Sequence, residues 1–168
     1  MIGMQSKNSY KLPVEKERIE RIITKQGMLS LGQRAHVKNL RNAIDFVVPE
    51  GTKIFAAADG TVAAVKDDSN EGGPDKKFWN KGNFAVIKHA NNEFTLYEHL
   101  KHKGVMVKVG EEVKQGQAIG LSGNTGYSFK PHLHFEVFIW PSKTAKPEER
   151  ESIKVCFKDF EKIYDVGE

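Results

Sequence analysis

His132 and His134 lie in one stretch, residues 123–138, reading Gly-Asn-Thr-Gly-Tyr-Ser-Phe-Lys-Pro-His-Leu-His-Phe-Glu-Val-Phe. It opens as a Gly-rich turn and closes as an alternating strand. Successive side chains on a strand point to opposite faces, so His132, His134 and Glu136 share one face. Leu133, Phe135, Val137 and Ile139 take the other, which is expected to be core. Two imidazoles side by side on a rigid strand suit metal chemistry: one ring can ligate while the other handles a proton. Glu136 reads either as a partner to a ligand imidazole or as a solvated strand carboxylate.

Asp45 interrupts an apolar run, Ala43-Ile44-Asp45-Phe46-Val47-Val48. A buried carboxylate is costly without a partner, and a metal would serve. The competing reading is a strand-end Asp accepting backbone N–H bonds. Histidines also stand at 36, 89, 99 and 102. His102, between Lys101 and Lys103, reads as solvated, and His89 ends a strand before a turn. The single cysteine, Cys156, sits in the apolar alternation Ile153-Lys154-Val155-Cys156-Phe157 and reads as a small core residue.

The elements that must position these residues are mostly strands. Pro13 opens a predicted helix over residues 13–25, with Ile19, Ile22 and Ile23 at i, i+3 and i+4 and Gly27 after its end. Residues 1–11 read as a frayed polar start. From Gly27 onward the pattern is strand and turn. Strands are expected at 43–48, 53–57, 61–65, 83–89, 94–100 and 132–139, with a further edge strand at 152–157. Asp59-Gly60 reads as a hairpin turn joining the second and third of these. On 94–100, alternation places Phe94, Leu96, Glu98 and Leu100 on one face and Thr95, Tyr97 and His99 on the other. Residues 67–82 form a long polar loop with Phe78-Trp79 as an apolar anchor, and loops of that length in compact domains are often functional. Short strands with frequent turns indicate an all-β fold, an antiparallel sandwich or partly open barrel.

A chain of 168 residues with 39% hydrophobic and 29% charged residues suits one globular domain with a sizeable core. The net charge of +4 suits an anionic partner such as a wall polymer. The scattered Lys and Arg lack the dense patches expected for nucleic-acid binding. One cysteine permits no intrachain disulfide, and no run of about 18 apolar residues predicts a membrane span.

The blocks together resemble a known family. An early His and Asp are followed by Pro-Glu-Gly-Thr, Asp-Gly-Thr-Val, Tyr-Glu-His-Leu, Val-Gly-Glu-Glu-Val-Lys-Gln-Gly-Gln-Ala-Ile-Gly, Ser-Gly-Asn-Thr-Gly and Pro-His-Leu-His-Phe-Glu. Their order over about 26–141 resembles the catalytic domain of lysostaphin-type (LytM) zinc metalloendopeptidases. The resemblance implies an all-β LytM-type core at 26–141. The short-helix extension at 1–25 precedes it, and a strand and tail at 142–168 pack on it. It also implies one Zn2+ per chain, held by Asp45, His134 and a further histidine, with His99 and His132 catalytic. The common form of the family has that further histidine four residues before the Asp, where this chain has Arg41. A branch with a longer loop before Ala-x-Asp-Phe is similar to Ala43-Ile44-Asp45-Phe46, and on it His36 is the ligand.

The implied activity is hydrolysis of stem-peptide or cross-bridge bonds in bacterial peptidoglycan, by a monomer at the cell envelope or outside the cell. The alternative from another class is a non-catalytic LytM-like module that regulates other wall hydrolases. A biotinyl or lipoyl carrier domain would need a modified lysine at a hairpin tip and would leave His-x-His unexplained.

Overall fold

The computed structural model describes residues 4–24 and 40–160. His36 lies outside the described residues, as does the end of the expected helix. The strands are β1 (Arg21–Ile23), β2 (Ile44–Val47), β3 (Lys53–Phe55), β4 (Gly60–Lys66), β5 (Gly72–Gly73) and β6 (Asn83–Lys88). They continue with β7 (Phe94–Val105), β8 (Glu112–Val113), β9 (Ala118–Ser122), β10 (Gly126–Tyr127), β11 (Leu133–Ile139) and β12 (Glu151–Ile153). Ten of them form one antiparallel sheet whose main path runs β1-β2-β11-β7-β6-β4-β8. β12 pairs with β11, and β9 bridges β3 and β7. The sheet does not close into a barrel. β5 and β10 form a separate parallel pair.

The inner face matches the period-two pattern. Ile44, Phe46, Leu133, Phe135, Val137, Tyr97, Ala85 and Ile87 are all buried in one core cluster. Phe135 packs against Tyr97, Phe46 and Phe157 with ring centroids 5.4–6.3 Å apart. No helix among the described residues is long and apolar enough to cross a membrane.

Four local expectations fail for tertiary reasons. In place of a helix over 13–25, the described residues show a single 3-10 turn at Lys16–Arg18 and then β1. The isoleucines there are β-branched, and β1 lays Ile22 opposite Phe46, so sheet pairing overrides the helical spacing. Asp59-Gly60 is not a hairpin turn, because β3 pairs with β9 while β4 pairs with β6 and β8. Gly60 is needed for a close approach instead: a Cβ there would lie 2.3 Å from the Lys88 carbonyl oxygen. Cys156 is exposed, while Val155 and Phe157 on either side of it are buried beyond the end of β12. Residues 7–10, within the stretch expected to fray, are tied down. The buried Glu93 carboxylate accepts from the Lys7 and Asn8 backbone N–H groups and from the hydroxyl of Tyr10.

The segments flanking the expected core complete the sheet that carries the site. β1 pairs with β2 and sets Ile23 opposite Asp45. β12 pairs with β11, and Asn42, just before β2, bonds Ser152 through both its backbone N–H and its side-chain amide.

Candidate active site

Asp45 and His134 are paired across neighbouring strands. β2 and β11 run antiparallel with these two residues in register, and β7 places Glu98 on the other side of His134. His134 Nδ1 lies 2.9 Å from Asp45 Oδ1, with both residues buried. Burial opposes a charge on His134. The hydrogen bond to Asp45, and the charges of Asp45, Glu136 and Glu98, outweigh it and push the imidazole up to about 9. Nδ1–H therefore donates to the carboxylate, and a proton bridges two buried groups that between them call for a cation.

His132 precedes β11 and points the same way. Its Nε2 is 3.8 Å from Asp45 Oδ1. Its Nδ1 lies 2.8 Å from the Lys130 carbonyl oxygen and 3.2 Å from Ser128 Oγ. A carbonyl only accepts, so Nδ1 carries the proton and Nε2 is left basic.

His99 reaches the same place by a device the alternating pattern hides. Strict alternation would turn it into the core beside Tyr97. Across from β7, Asn83 pairs with Leu100 and Phe84 with Glu98, so His99 is the extra residue of a β-bulge. Its φ of 65° is one that non-glycine residues seldom adopt. The bulge turns the ring to the site, 4.5 Å from the His132 ring and 6.1 Å from that of His134. Nδ1 donates to the Thr125 carbonyl at 2.7 Å, again leaving Nε2 without a proton. Burial, reinforced by the neighbouring His132 and His134, holds His99 down to about 3, so it is neutral.

The Gly-rich loop supplies these supports. Thr125 Oγ donates to the Leu100 carbonyl and accepts from Asn83 N–H, which fixes its own carbonyl against His99. Gly126 sits at φ +82°, where a Cβ would lie 2.7 Å from the Gly82 backbone and 3.4 Å from His99 Nδ1. Ser128 Oγ lies 2.6 Å from Asn124 Oδ1 and 2.9 Å from the Lys130 carbonyl. Of these residues, only the glycines carry a sequence signal; the roles of the Thr125 and Ser128 hydroxyls and of the Thr125 and Lys130 carbonyls depend on the folded loop.

Asp45, His99, His132 and His134 thus come together, and His36 lies outside the described residues. Glu136 is on the His134 strand but bonds neither imidazole. It is fully buried and pairs with Arg150, which the sequence reading did not single out. Glu98, half-buried and opposite His134, is a further carboxylate of the site that was not singled out either. Gly82 makes room for it: a Cβ there would lie 2.9 Å from Glu98 Oε1. His89 is structural, bonded at 2.7 Å to the Asp59 carbonyl and at 2.8 Å to Thr95 Oγ. His102 is half-buried rather than solvated, with a buried Nδ1.

The donor set fits a zinc ion in kind. A carboxylate oxygen and an imidazole nitrogen converge in a buried place that already holds a cationic proton. Among the described residues, no cluster of three such donors forms a complete metal cage.

The sequence profile of Peptidase family M23 matches residues 39–147. Over 98 residues the chain is 39% identical to the peptidoglycan DD-endopeptidase ShyA of Vibrio cholerae serotype O1, covering 58% of this chain and 20% of that protein. It is 42% identical over 97 residues to ShyC, a peptidoglycan DD-endopeptidase of the same organism, covering 56% and 19%. The chain thus spans about a fifth of the length of these curated relatives. A zinc-containing peptidase from Vibrio cholerae superposes with a TM-score of 0.55 at 33% identity, covering 77% of this chain and 36% of that one. The catalytic domain of lysostaphin from Staphylococcus simulans superposes with a TM-score of 0.54 at 28% identity, covering 79% and 87%. A profile that takes in well over half of the sequence, with a fold shared with these solved peptidases, makes this chain a member of Peptidase family M23.

Proposed function

We propose that this chain is a zinc-dependent endopeptidase that cuts peptide bonds of bacterial peptidoglycan, at the cell envelope or outside the cell. The observation that carries the reading is the pairing of Asp45 with His134 beside two histidines that each keep Nε2 without a proton. Asp45 and His134 are the proposed ligands among the described residues, and His36 is the proposed third. Zn2+ held there supplies Lewis acidity that activates water and polarises a carbonyl near neutral pH.

The rest is the work of the protein. His99 and His132 present these nitrogens to the space beside Asp45. One accepts the proton of the attacking water and, as imidazolium, delivers that proton to the leaving amine, while the other orients the water through a hydrogen bond at its Nε2. The carbonyls of Thr125 and Lys130 keep both rings in the tautomer this needs and stabilise the imidazolium that forms. Burial keeps His99 neutral and disfavours its protonation, which suits it to orient the water by accepting a hydrogen bond at Nε2. The names of ShyA and ShyC support a cross-link peptide as substrate. The basic surface suits an anionic wall.

Two measurements test this together. Metal analysis of reconstituted protein is expected to give about one zinc per chain, and digestion of cross-linked muropeptides, read by mass, is expected to show a cut peptide bond. His36→Ala should lose the metal. His132→Ala should keep it and lose at least about 100-fold in rate. Absence of zinc after reconstitution, or equal metal loss in the two variants, sinks the assignment. Zinc and wall-peptide binding without cleavage would instead point to the regulatory module.

A further inference from the structure

Beside the site, three aromatic rings stand in a row at the surface. Trp79 is 64% exposed, and its ring lies 5.9 Å from that of Tyr127, tilted by 37°. Tyr127 in turn lies 5.5 Å from Phe129. Isolated exposed apolar residues are common, but a contiguous row held in place calls for an occupant.

The row is built. The β5–β10 pair joins its two loops, with Tyr127 opposite Gly73, and Ser128 N–H and Gly126 N–H donate to the Gly73 and Glu71 carbonyls. Asp75 caps the turn Lys76–Phe78 through Lys77 N–H. Phe78 packs on Gly73, where a Cβ would lie 3.1 Å from its ring. The same loop holds His99 through Thr125 and His132 through Ser128. The ledge is therefore rigidly continuous with the candidate active site. Exposed Lys76, Lys77 and Lys130 give its margin a positive charge.

We propose that Trp79, with Tyr127 and Phe129, forms a subsite for a pyranose ring of the wall glycan that carries the scissile peptide. The proposal rests on the peptidoglycan reading above. A pyranose has an apolar C–H face and a rim of hydroxyls, so it needs a flat ring that stays wet at its edges. A largely exposed tryptophan in tilted contact with a tyrosine offers that. A peptide is held by backbone hydrogen bonds and pockets for its side chains, which exposed rings do not supply. The lysine margin attracts the anionic wall without setting which sugar binds.

The test uses the full chain in a Trp140→Phe background, which leaves Trp79 as the sole tryptophan. The probes are wall glycan strands freed of peptide and, separately, the sugar-free cross-linked peptide. Glycan strands are expected to change the Trp79 emission, and peptide alone is not. Trp79→Ala should weaken retention on peptide-free glycan about tenfold, and Trp79→Tyr should restore most of it. The rate ratio between intact wall and sugar-free peptide should fall by a similar factor in Trp79→Ala, through KM rather than kcat. An emission change with peptide but not with glycan overturns the proposal, as does equal loss of rate on both substrates. If nothing is cleaved yet glycan strands still bind through Trp79, the ledge stands and the peptidase reading falls.

Discussion

The chemistry of single residues here depends on which nitrogen of each imidazole is occupied. His99 and His132 spend Nδ1–H on backbone carbonyls, while His134 spends it on Asp45. On the proposed reading the first two keep Nε2 open towards the attacking water, and the third exchanges its proton for a metal. Gly126 protects this arrangement. At φ +82°, with the Gly82 backbone 2.7 Å from any added Cβ, it permits no side chain. Gly126→Ala is expected to cost about 1–3 kcal/mol in chemical denaturation. Cleavage should fall further than stability does, because the same shift moves Thr125 away from His99. A variant with wild-type stability and rate would show that the loop adapts and that its geometry is unimportant.

Among the elements, β12 braces the strand that presents His134, and Ser152 pins the start of the strand that presents Asp45. Arg150, just before β12, pairs with the fully buried Glu136 and lies over the Phe138 ring. Among the described residues Glu136 Oε2 has no hydrogen-bond partner, so Arg150 is the principal compensation for this carboxylate. Removing one member of a buried ion pair costs about 3–5 kcal/mol, because the other charge is stranded. Arg150→Ala should show a loss of that order in urea denaturation, and adding Glu136→Gln should recover part of it. Additive losses in the double variant would mean that the pair contributes nothing as a pair. This element lies beyond the matched residues 39–147, so the brace belongs to this chain's own C-terminal segment.

At the scale of the whole molecule, a buried hydrogen-bond chain ties the sheet to the turn before β4, and it is sensitive to pH. His89 is buried, which lowers its tendency to take a proton, although the Asp59 carbonyl and the charges of Glu93 and Asp59 oppose this. Neutral His89 donates Nδ1–H to the Asp59 carbonyl, and its Nε2 lies 2.8 Å from Thr95 Oγ. Thr95 Oγ donates in turn to the Tyr97 hydroxyl at 3.1 Å, and that hydroxyl also accepts from Ala57 N–H. The unfolded chain protonates this residue near 6.5, while the native state resists. Its contribution is therefore fully present above that pH and is lost as pH falls below it. Denaturation of wild type and His89→Asn at pH 7.5 and 5.5 should show the stabilities converging at the lower pH. A difference between them that does not change with pH would remove His89 as the titrating group.

The sequence by itself determined the all-β class and the inner core face, and it singled out Asp45, His99, His132 and His134, which the fold brings together. Period-two alternation and Gly-rich turns are local signals, and His-x-His and the lone Asp45 in an apolar run stand out by type alone. Sequence order could not show that His99 is a bulge residue, because a bulge is a mismatch between two strands and has no signature in either one. Nor could it show that Ile19, Ile22 and Ile23 serve a sheet: helical spacing and β-branching compete there, and the partner strand β2 decides. Glu136 looked equally fit to support an imidazole or to face water, and only the arrival of Arg150 from the C-terminal segment placed it in a buried pair. The tertiary structure decided those points because each depends on a neighbour remote in the chain. Proton positions on three imidazoles, the turn of one ring and the pairing of one carboxylate are settled by contacts, and contacts form only once the sheet is assembled.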